Sequence, residues 1–448
     1  MIKRLITGLP CVGGKSKLAD RLCDIIEDVC GNNGIRSYIS ACGGRGKDIL
    51  SLTSVLFDEL IYNEIDPDIC RLMAGLATPI NVINIRYILH DIIDRVLQID
   101  IDIPDELCKK NSKDETRQMI LLVALFDYAK EQVHKECDTI KAAALSAIIV
   151  YGSVQNNRMG FYYDGFKHNL CEDNIMERLV TVAEKDQNVE VRSESCFDLI
   201  AGKKYDPKTF IYVDPPYYNC TNGYENDWIL KEHREFVELC RDAEASIMIC
   251  THKNGILPYL ALADDPRWHC YKTGTIIHSS RKSSGDRLNA WHERMNNPKE
   301  GDKPVGPLVK YTAERLLDTM SNVDEVLRED GTPDVSQRDK YVDEYAWCNF
   351  ETDLPEKHFT VNDFQPTEFV YDEDVTIYPS DWTIKDYYDY MVEEAECMGA
   401  EEDSDQKSSS SKPNRKKNEL HELKQALKAE VIEQIRPYWE QLTSDCAD

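Results

Sequence analysis

The chain has 448 residues, 42% of them hydrophobic, which suits two or three domains with sizeable cores and excludes a short disulfide scaffold. A net charge of −28 excludes an evenly basic nucleic-acid binder, but 18 acids against Lys357 and Lys385 give the segment from Glu351 to Asp405 −16 of it, so a local basic groove elsewhere stays open. No apolar run reaches membrane-spanning length, none follows Met1-Ile2-Lys3-Arg4 as a leader core, and the 16 cysteines lack a repeated CxxC, so the reading is reduced thiols in a cytoplasm, no membrane and no metal site.

In chain order, Leu9-Pro10-Cys11-Val12-Gly13-Gly14-Lys15-Ser16 comes first. Two glycines let backbone approach a ligand and Lys15 follows where a helix can begin, though the P-loop spacing is missing and a flexible helix entry reads the same way. Next, Tyr38 to Ala41 reads as a short strand running into Cys42-Gly43-Gly44-Arg45-Gly46, with a helix from about Asp48. Leu60-Ile61-Tyr62-Asn63-Glu64-Ile65-Asp66 reads as a second strand ending in acids. An acid there is where dinucleotide-type sheets hold ribose hydroxyls, and a plain βαβ unit with solvated caps is the alternative.

From about Gly75 to Lys185 the pattern is mainly helical, with amphipathic runs at Asn81 to Leu97 and Thr116 to Val133 and an apolar run at Ala142 to Val150. The stretch from Tyr151 to His168 then interleaves amides, cations, glycines and aromatics. That mixture suits DNA: Asn157 and Arg158 for base edges, Lys167 for a phosphate, Phe161 or Tyr162 as a wedge. A hairpin whose aromatics fill a core is the other reading.

The densest chemistry lies in Phe210-Ile211-Tyr212-Val213-Asp214-Pro215-Pro216-Tyr217-Tyr218. Phe210 to Val213 reads as a buried strand, and the two prolines stop the sheet because neither donates a backbone hydrogen bond. Asp214 and the Pro215 carbonyl can accept from an exocyclic NH2, and Tyr217 can stack on its ring. Tyr218 to Trp228 suits a closing loop, Leu230 to Ala243 a helix, and Ala245 to Cys250 and Trp268 to Ile277 strands. Lys253 and Asn254 face a nucleotide or sit in a plain turn. Ser279 to Asn289, with Arg281, Lys282 and Arg287, is either a phosphate-contacting loop or solvated surface. Asn296 to Lys340 reads as an insertion or lid, and Asp343 to Phe350 as a last strand.

These stretches together resemble the Dam-type N6-adenine DNA methyltransferases. In that family W-x-G-G-K, F-x-G-x-G, an acidic strand end, a long insertion and D-P-P-Y follow one another. Here Cys11 to Lys15, Cys42 to Gly46, Asn63 to Asp66 and Asp214 to Tyr217 match, with Cys11 and Cys42 where the family carries aromatics and Ala41 for proline. The resemblance implies an α/β, Rossmann-like S-adenosylmethionine-dependent methyltransferase sheet with an inserted, mainly helical target-recognition domain. It implies S-adenosylmethionine held by Cys11, Gly13, Gly14 and Lys15, by Cys42, Gly44 and Gly46, and by Glu64 and Asp66, with Asp198 beside its adenine. Asp214, Pro215, Pro216 and Tyr217 would form the catalytic site for an adenine flipped out of duplex DNA.

The expected domains are a catalytic one over 1–75 and 186–350, a recognition insert over 76–185, an acidic extension over 351–405, a linker over 406–417 and a helix over 418–442. In the last, Leu420, Leu423, Leu427, Val431 and Ile435 recur at helical spacing, a face that docks on its own domain, self-associates or takes a partner protein. The acidic extension either imitates DNA's charge over a basic groove or is solvated or self-docked. No nuclease motif stands out, which favours a solitary enzyme over a fused restriction system.

Overall fold

Four runs that are buried over nearly their whole length supply the middle of a sheet: Ser37–Ser40 (β1), Glu59–Asn63 (β2), Thr209–Val213 (β4) and Ser246–His252 (β5). Strands covered on both faces read as continuous apolar runs rather than alternating ones, which is why Phe210 to Val213 and Ile247 to Cys250 were legible. With Val189–Arg192 (β3), His269–Ile277 (β6) and Tyr341–Cys348 (β7), they form one mixed sheet in the order β3-β2-β1-β4-β5-β7-β6. The pairs β1–β2, β2–β3 and β4–β5 are parallel, and β7 runs antiparallel to both β5 and β6. The fold is therefore α/β with a seven-stranded mixed sheet, compatible with a Rossmann-like arrangement. The computed structural model describes residues 18–44, 46–108, 111–153, 160–172, 174–185, 188–218, 228–277, 341–364, 381–402 and 415–444.

The chain divides into two compact units. The first comprises Met1–Cys23, Arg36–Cys196 and Lys407–Asp448, and the second Asp24–Ile35 and Phe197–Gln406. Ala19–Asn33 (α1) has its first turn in the first unit and the rest, from Asp24, in the second; the first unit then carries Pro67–Gly75 (α2), Pro79–Gln98 (α3), Lys113–Gln132 (α4), Thr139–Gly152 (α5), Tyr163–Phe166 (α6) and Met176–Lys185 (α7). Asp66, Thr78, Ser112 and Asp138 each cap the helix that follows by accepting from a first-turn amide. Every residue of α5 from Lys141 to Gly152 is buried, as an all-round apolar helix demands.

One expected helix is missing. Past Asp48 the chain makes only two short 3-10 turns, Ile49–Ser51 and Ser54–Leu56, separated by extended Leu52 and Thr53. Ser51, Thr53 and Ser54 disfavour continuation because their hydroxyls compete for backbone groups. Burial of Ile49, Leu50 and Leu52 rewards the irregular path. Beneath it, the Tyr38 hydroxyl donates to Asp48 at 2.8 Å, and burial pushes the Asp48 carboxyl above its ordinary range.

The second unit adds Cys196–Lys203 (α8, whose first residue closes the first unit), Leu230–Arg241 (α9) and Ile384–Glu402 (α10). Asn349 accepts from Ile247 N at 2.7 Å and donates to Ala245 O at 2.8 Å, pinning the end of β7 to the start of β5. The acidic extension is folded where it is described. Thr383 and Asp386 cap α10 reciprocally, and an aromatic chain runs Tyr345, Phe359, Phe364, Tyr387, with Tyr387 stacked on Phe364 at 4.4 Å. Over its described residues those rings pack the stretch within its own unit.

Arg415–Ser444 (α11) belongs to the first unit and packs on α4 and α3. Val431, Ile435, Trp439 and Leu442 are buried, Trp439 Nε1 donates to Glu136 at 3.1 Å, and Lys428 pairs with Asp127. Self-docking thus occupies the C-terminal part of the apolar face, while Leu420, Leu423 and Leu427 are half-buried. Among the described residues no single helix is long and apolar enough to cross a membrane.

Candidate functional site

The first unit presents a glycine turn and a carboxylate. Gly44 and Gly46 follow β1 with φ of +50° and +67°, left-handed values that an L side chain adopts only at a cost. Gly43 is required for a different reason: a Cβ there would lie 2.3 Å from the Tyr62 ring, which is wholly buried on β2. The Tyr62 hydroxyl donates to Gly44 O, and Gly43 N donates to Asn63 O at 2.8 Å. The turn is therefore clamped onto the end of β2. Gly43→Ala should remove about 1 to 3 kcal/mol of stability by overpacking against Tyr62, read as a lower urea midpoint with unchanged slope.

Glu64, the first residue past β2, accepts from Gly44 N at 2.6 Å with Oε2 and from Asp66 N at 2.9 Å with Oε1. Its carboxylate thus sits against the turn. Asp66 also serves the next helix. Its Oδ1 accepts from Asp68 N and Ile69 N at 2.9 and 3.2 Å, making it the cap of α2 ahead of Pro67. Buried Asn63 donates to Ala41 O and Glu194 O and accepts from Glu194 N, tying the ends of β1, β2 and β3 together. The sequence pattern includes Asn63 without revealing this role. Cys42 lies half-buried in the turn. Among the described residues an added Cβ at Gly44 would meet nothing within 4 Å.

The second unit presents Asp214-Pro215-Pro216-Tyr217 directly past β4. Asp214, Pro216 and Tyr217 are half-buried and Pro215 is buried. The Tyr217 hydroxyl oxygen lies 2.9 Å from Asp214 Oδ1 and 3.0 Å from Glu344 Oε2, and its ring meets His252 edge-on at 4.7 Å. Burial, then the charges of Asp214 and Glu344, push the Tyr217 phenol well above its ordinary range, so it stays protonated at neutral pH. His252 and Glu344 face one another as register partners on β5 and β7. Sequence reading missed both. The available signal was an acid pair, Asp343-Glu344, inside an otherwise apolar strand, since buried acids demand partners. Asp343 finds Lys272 at 2.7 Å and Thr275 at 2.6 Å.

Asp198 is exposed in the first turn of α8. Beside it Phe197 packs on Trp228 at 5.0 Å and on Phe236 at 5.8 Å, and Trp228 meets His233 at 5.2 Å. Burial depresses His233 to about 4, and its Nδ1 lies 2.9 Å from the Tyr259 hydroxyl.

Of the residues read as DNA contacts, Phe161 packs between Phe126 and Phe166 at 5.6 and 5.7 Å, so the core reading accounts for it. Tyr162 and Lys167 are exposed, and Ser153 pairs antiparallel with Phe161 across the base of the expected hairpin. Asn157 and Arg158, the stretch Cys11 to Lys15 with Gly13 and Gly14, and Arg281, Lys282 and Arg287 lie outside the described residues.

A cavity of about 250 Å³ opens elsewhere in the second unit, lined by Arg241, Arg267, Trp268, His269 and Phe350 among others. Its basic side chains already meet carboxylates: Arg241 with Glu238, Arg267 with Asp265, His269 Nδ1 with Glu356. Among the described residues no cluster of His, Cys, Asp or Glu is arranged to hold a metal ion. Neither a family model nor a curated protein sequence matches this chain.

Proposed function

We propose that this protein transfers a methyl group from S-adenosylmethionine to the N6 amine of adenine in DNA. The observation that carries the reading is the turn past β4, which offers a carboxylate, a carbonyl and an anchored aromatic ring within four residues. S-adenosylmethionine, when bound, supplies a sulfonium methyl already activated toward an amine.

The chain's own residues have separable roles. Glu64 would hold the ribose hydroxyls, and Cys42, Gly44 and Gly46 would line the methionine part. No described atom lies within 4 Å of a Cβ added at Gly44, which suits that fit. Asp214 and the Pro215 carbonyl would each accept one N6 hydrogen, turning the nitrogen lone pair out of conjugation with the ring. Tyr217 would stack the flipped base, and anchoring its hydroxyl fixes the ring plane, which lowers the ordering cost of that contact. Once the nitrogen becomes cationic its surplus proton passes to Asp214 Oδ or to water. Catalysis on this account is positioning and electrostatics.

The direct test is transfer of labelled methyl to unmethylated duplex DNA, followed by nucleoside analysis. N6-methyladenine is the expected product. Incorporation into single strands or RNA alone would change the substrate, and no incorporation with cofactor bound would favour a binding protein that kept the fold and lost the chemistry.

A further inference from the structure

Two turns at one end of the sheet are built against each other. β4 and β5 run parallel, with Phe210 beside Ser246 and Val213 beside Ile249, so the turns that follow them leave the sheet on the same side. The first is Asp214 to Tyr217. The second is the single 3-10 turn Lys253–Gly255, capped by His252. His252 closes its own turn, because Gly255 N donates to its Nδ1 at 2.9 Å. Only a ring nitrogen with a lone pair can accept, so His252 is the neutral tautomer that carries its proton on Nε2. Glu344, its register partner on β7, and buried Lys253 do not alter this: the backbone donor settles Nδ1 whatever Nε2 meets.

The same two residues touch the turn past β4. The His252 ring meets the Tyr217 ring at 4.7 Å and 76°, a perpendicular contact that resists rotation of the phenol ring about its Cβ–Cγ bond. Gly255 lies against the next residue's backbone. A Cβ added there would stand 3.2 Å from Tyr218 O and 3.4 Å from Tyr218 N, and 3.1 Å from Thr251 Oγ1. Those distances are tighter than a side-chain carbon ordinarily accepts, so glycine is what lets the two turns come this close. The Tyr217 hydroxyl meanwhile meets Asp214 and Glu344. The ring is thus held at its tip by carboxyls, at its side by His252 and, through the Tyr218 backbone, at its root by Gly255.

We infer that the turn past β5 is the seat of the turn past β4, with His252 and Gly255 as positioning residues: His252 Nδ1 holds the seat closed, and its ring sets the plane in which Tyr217 stacks the flipped base. The consequence for methyl transfer rests on the methyltransferase reading, while the seat itself rests on the contacts. Fixing the phenol plane before the base arrives removes an ordering cost from the step that aims the N6 amine. Glu64 and the glycine turn assigned to the cofactor follow β2 and β1, so loss of the seat falls on rate and not on cofactor affinity.

Substitutions in the full chain separate the two jobs of His252. Asparagine places its Oδ1 close to where the imidazole carries Nδ1, so His252→Asn keeps the acceptor for Gly255 N and loses the ring, whereas His252→Ala loses both. His252→Ala should lower kcat for methyl transfer about tenfold or more, the scale of one hydrogen bond and one ring contact together, and His252→Asn should stay within about threefold of wild type. Gly255→Ala leaves His252 in place and should lower kcat about threefold to tenfold by pushing on Tyr218. All three should keep the Kd for S-adenosylmethionine within about twofold, whereas a merely structural role would reduce rate and cofactor-binding capacity together as folded protein is lost. A further readout needs no activity: two-bond proton–nitrogen NMR of histidine-labelled protein at neutral pH, in which the resonance missing from His252→Asn should be that of a neutral imidazole protonated on Nε2. A proton on Nδ1 of that ring, an asparagine variant as slow as alanine, a Gly255→Ala protein with wild-type kcat, or cofactor affinity that falls with kcat would each overturn the inference. If the tautomer is as expected but no form of the protein transfers methyl, the seat stands and the methyltransferase reading falls.

Discussion

Asp214→Ala is expected to lower kcat for methyl transfer on the order of a thousandfold while leaving the Kd for S-adenosylmethionine within about twofold. The asymmetry follows from where its carboxylate sits. Asp214 lies past β4 and bonds the Tyr217 hydroxyl, whereas the residues assigned to the cofactor lie past β1 and β2. An acceptor for the N6 hydrogens is worth most when the nitrogen becomes positively charged, so its loss falls on the transition state more than on binding. Asp214→Asn should fall in between, because an amide oxygen still accepts but lacks the charge that roughly doubles such a bond. Single-turnover transfer measured beside calorimetric cofactor binding separates the two effects. Equal loss of rate and affinity would undo the role given to Asp214, and full activity would move the chemistry elsewhere. The alanine variant should also leave Tyr217 bonded to Glu344, so its fold should melt close to wild type.

How much of this was legible depends on whether a feature is local. The β4 turn was, because Pro215 and Pro216 end a strand by covalent geometry and Asp214 and Tyr217 travel with them. So was the glycine turn, since only glycine readily takes the φ of Gly44 and Gly46. The supporting residues were not. Glu344 reaches Tyr217 across 127 residues of sequence, through an antiparallel register between β5 and β7 that no local pattern encodes. Asn63 looked like part of an acidic motif, yet its amide ties three strand ends. Phe161 sat in a stretch whose composition suits DNA, but composition does not say which aromatic turns inward, and Phe126 and Phe166 take it. The helix expected past Asp48 failed because tertiary burial of Ile49, Leu50 and Leu52 outweighs a weak local preference.

Glu64→Ala should raise the Kd for S-adenosylmethionine on the order of a hundredfold, the scale of losing a charge-assisted pair of hydrogen bonds to vicinal hydroxyls. The structure also shows what such a test must control for, because Glu64 serves the fold as well. Its two oxygens accept from Gly44 N and Asp66 N, so alanine both removes the proposed ribose acceptor and frees the glycine turn. Asp66 supplies the control. It caps α2 through Asp68 N and Ile69 N, and Asp66→Ala should cost about 1 kcal/mol of stability. If affinity tracks stability, the two variants should weaken binding alike once corrected for unfolded protein. If Glu64 holds the ribose, it alone should show the large loss in calorimetry, with a melting midpoint no lower than that of Asp66→Ala. An analogue lacking the ribose hydroxyls separates the two effects of Glu64 itself: it should bind wild type and Glu64→Ala with nearly the same affinity, because the acceptor then has nothing to hold. A difference that persists with this analogue would assign Glu64 to shaping the turn and not to the sugar.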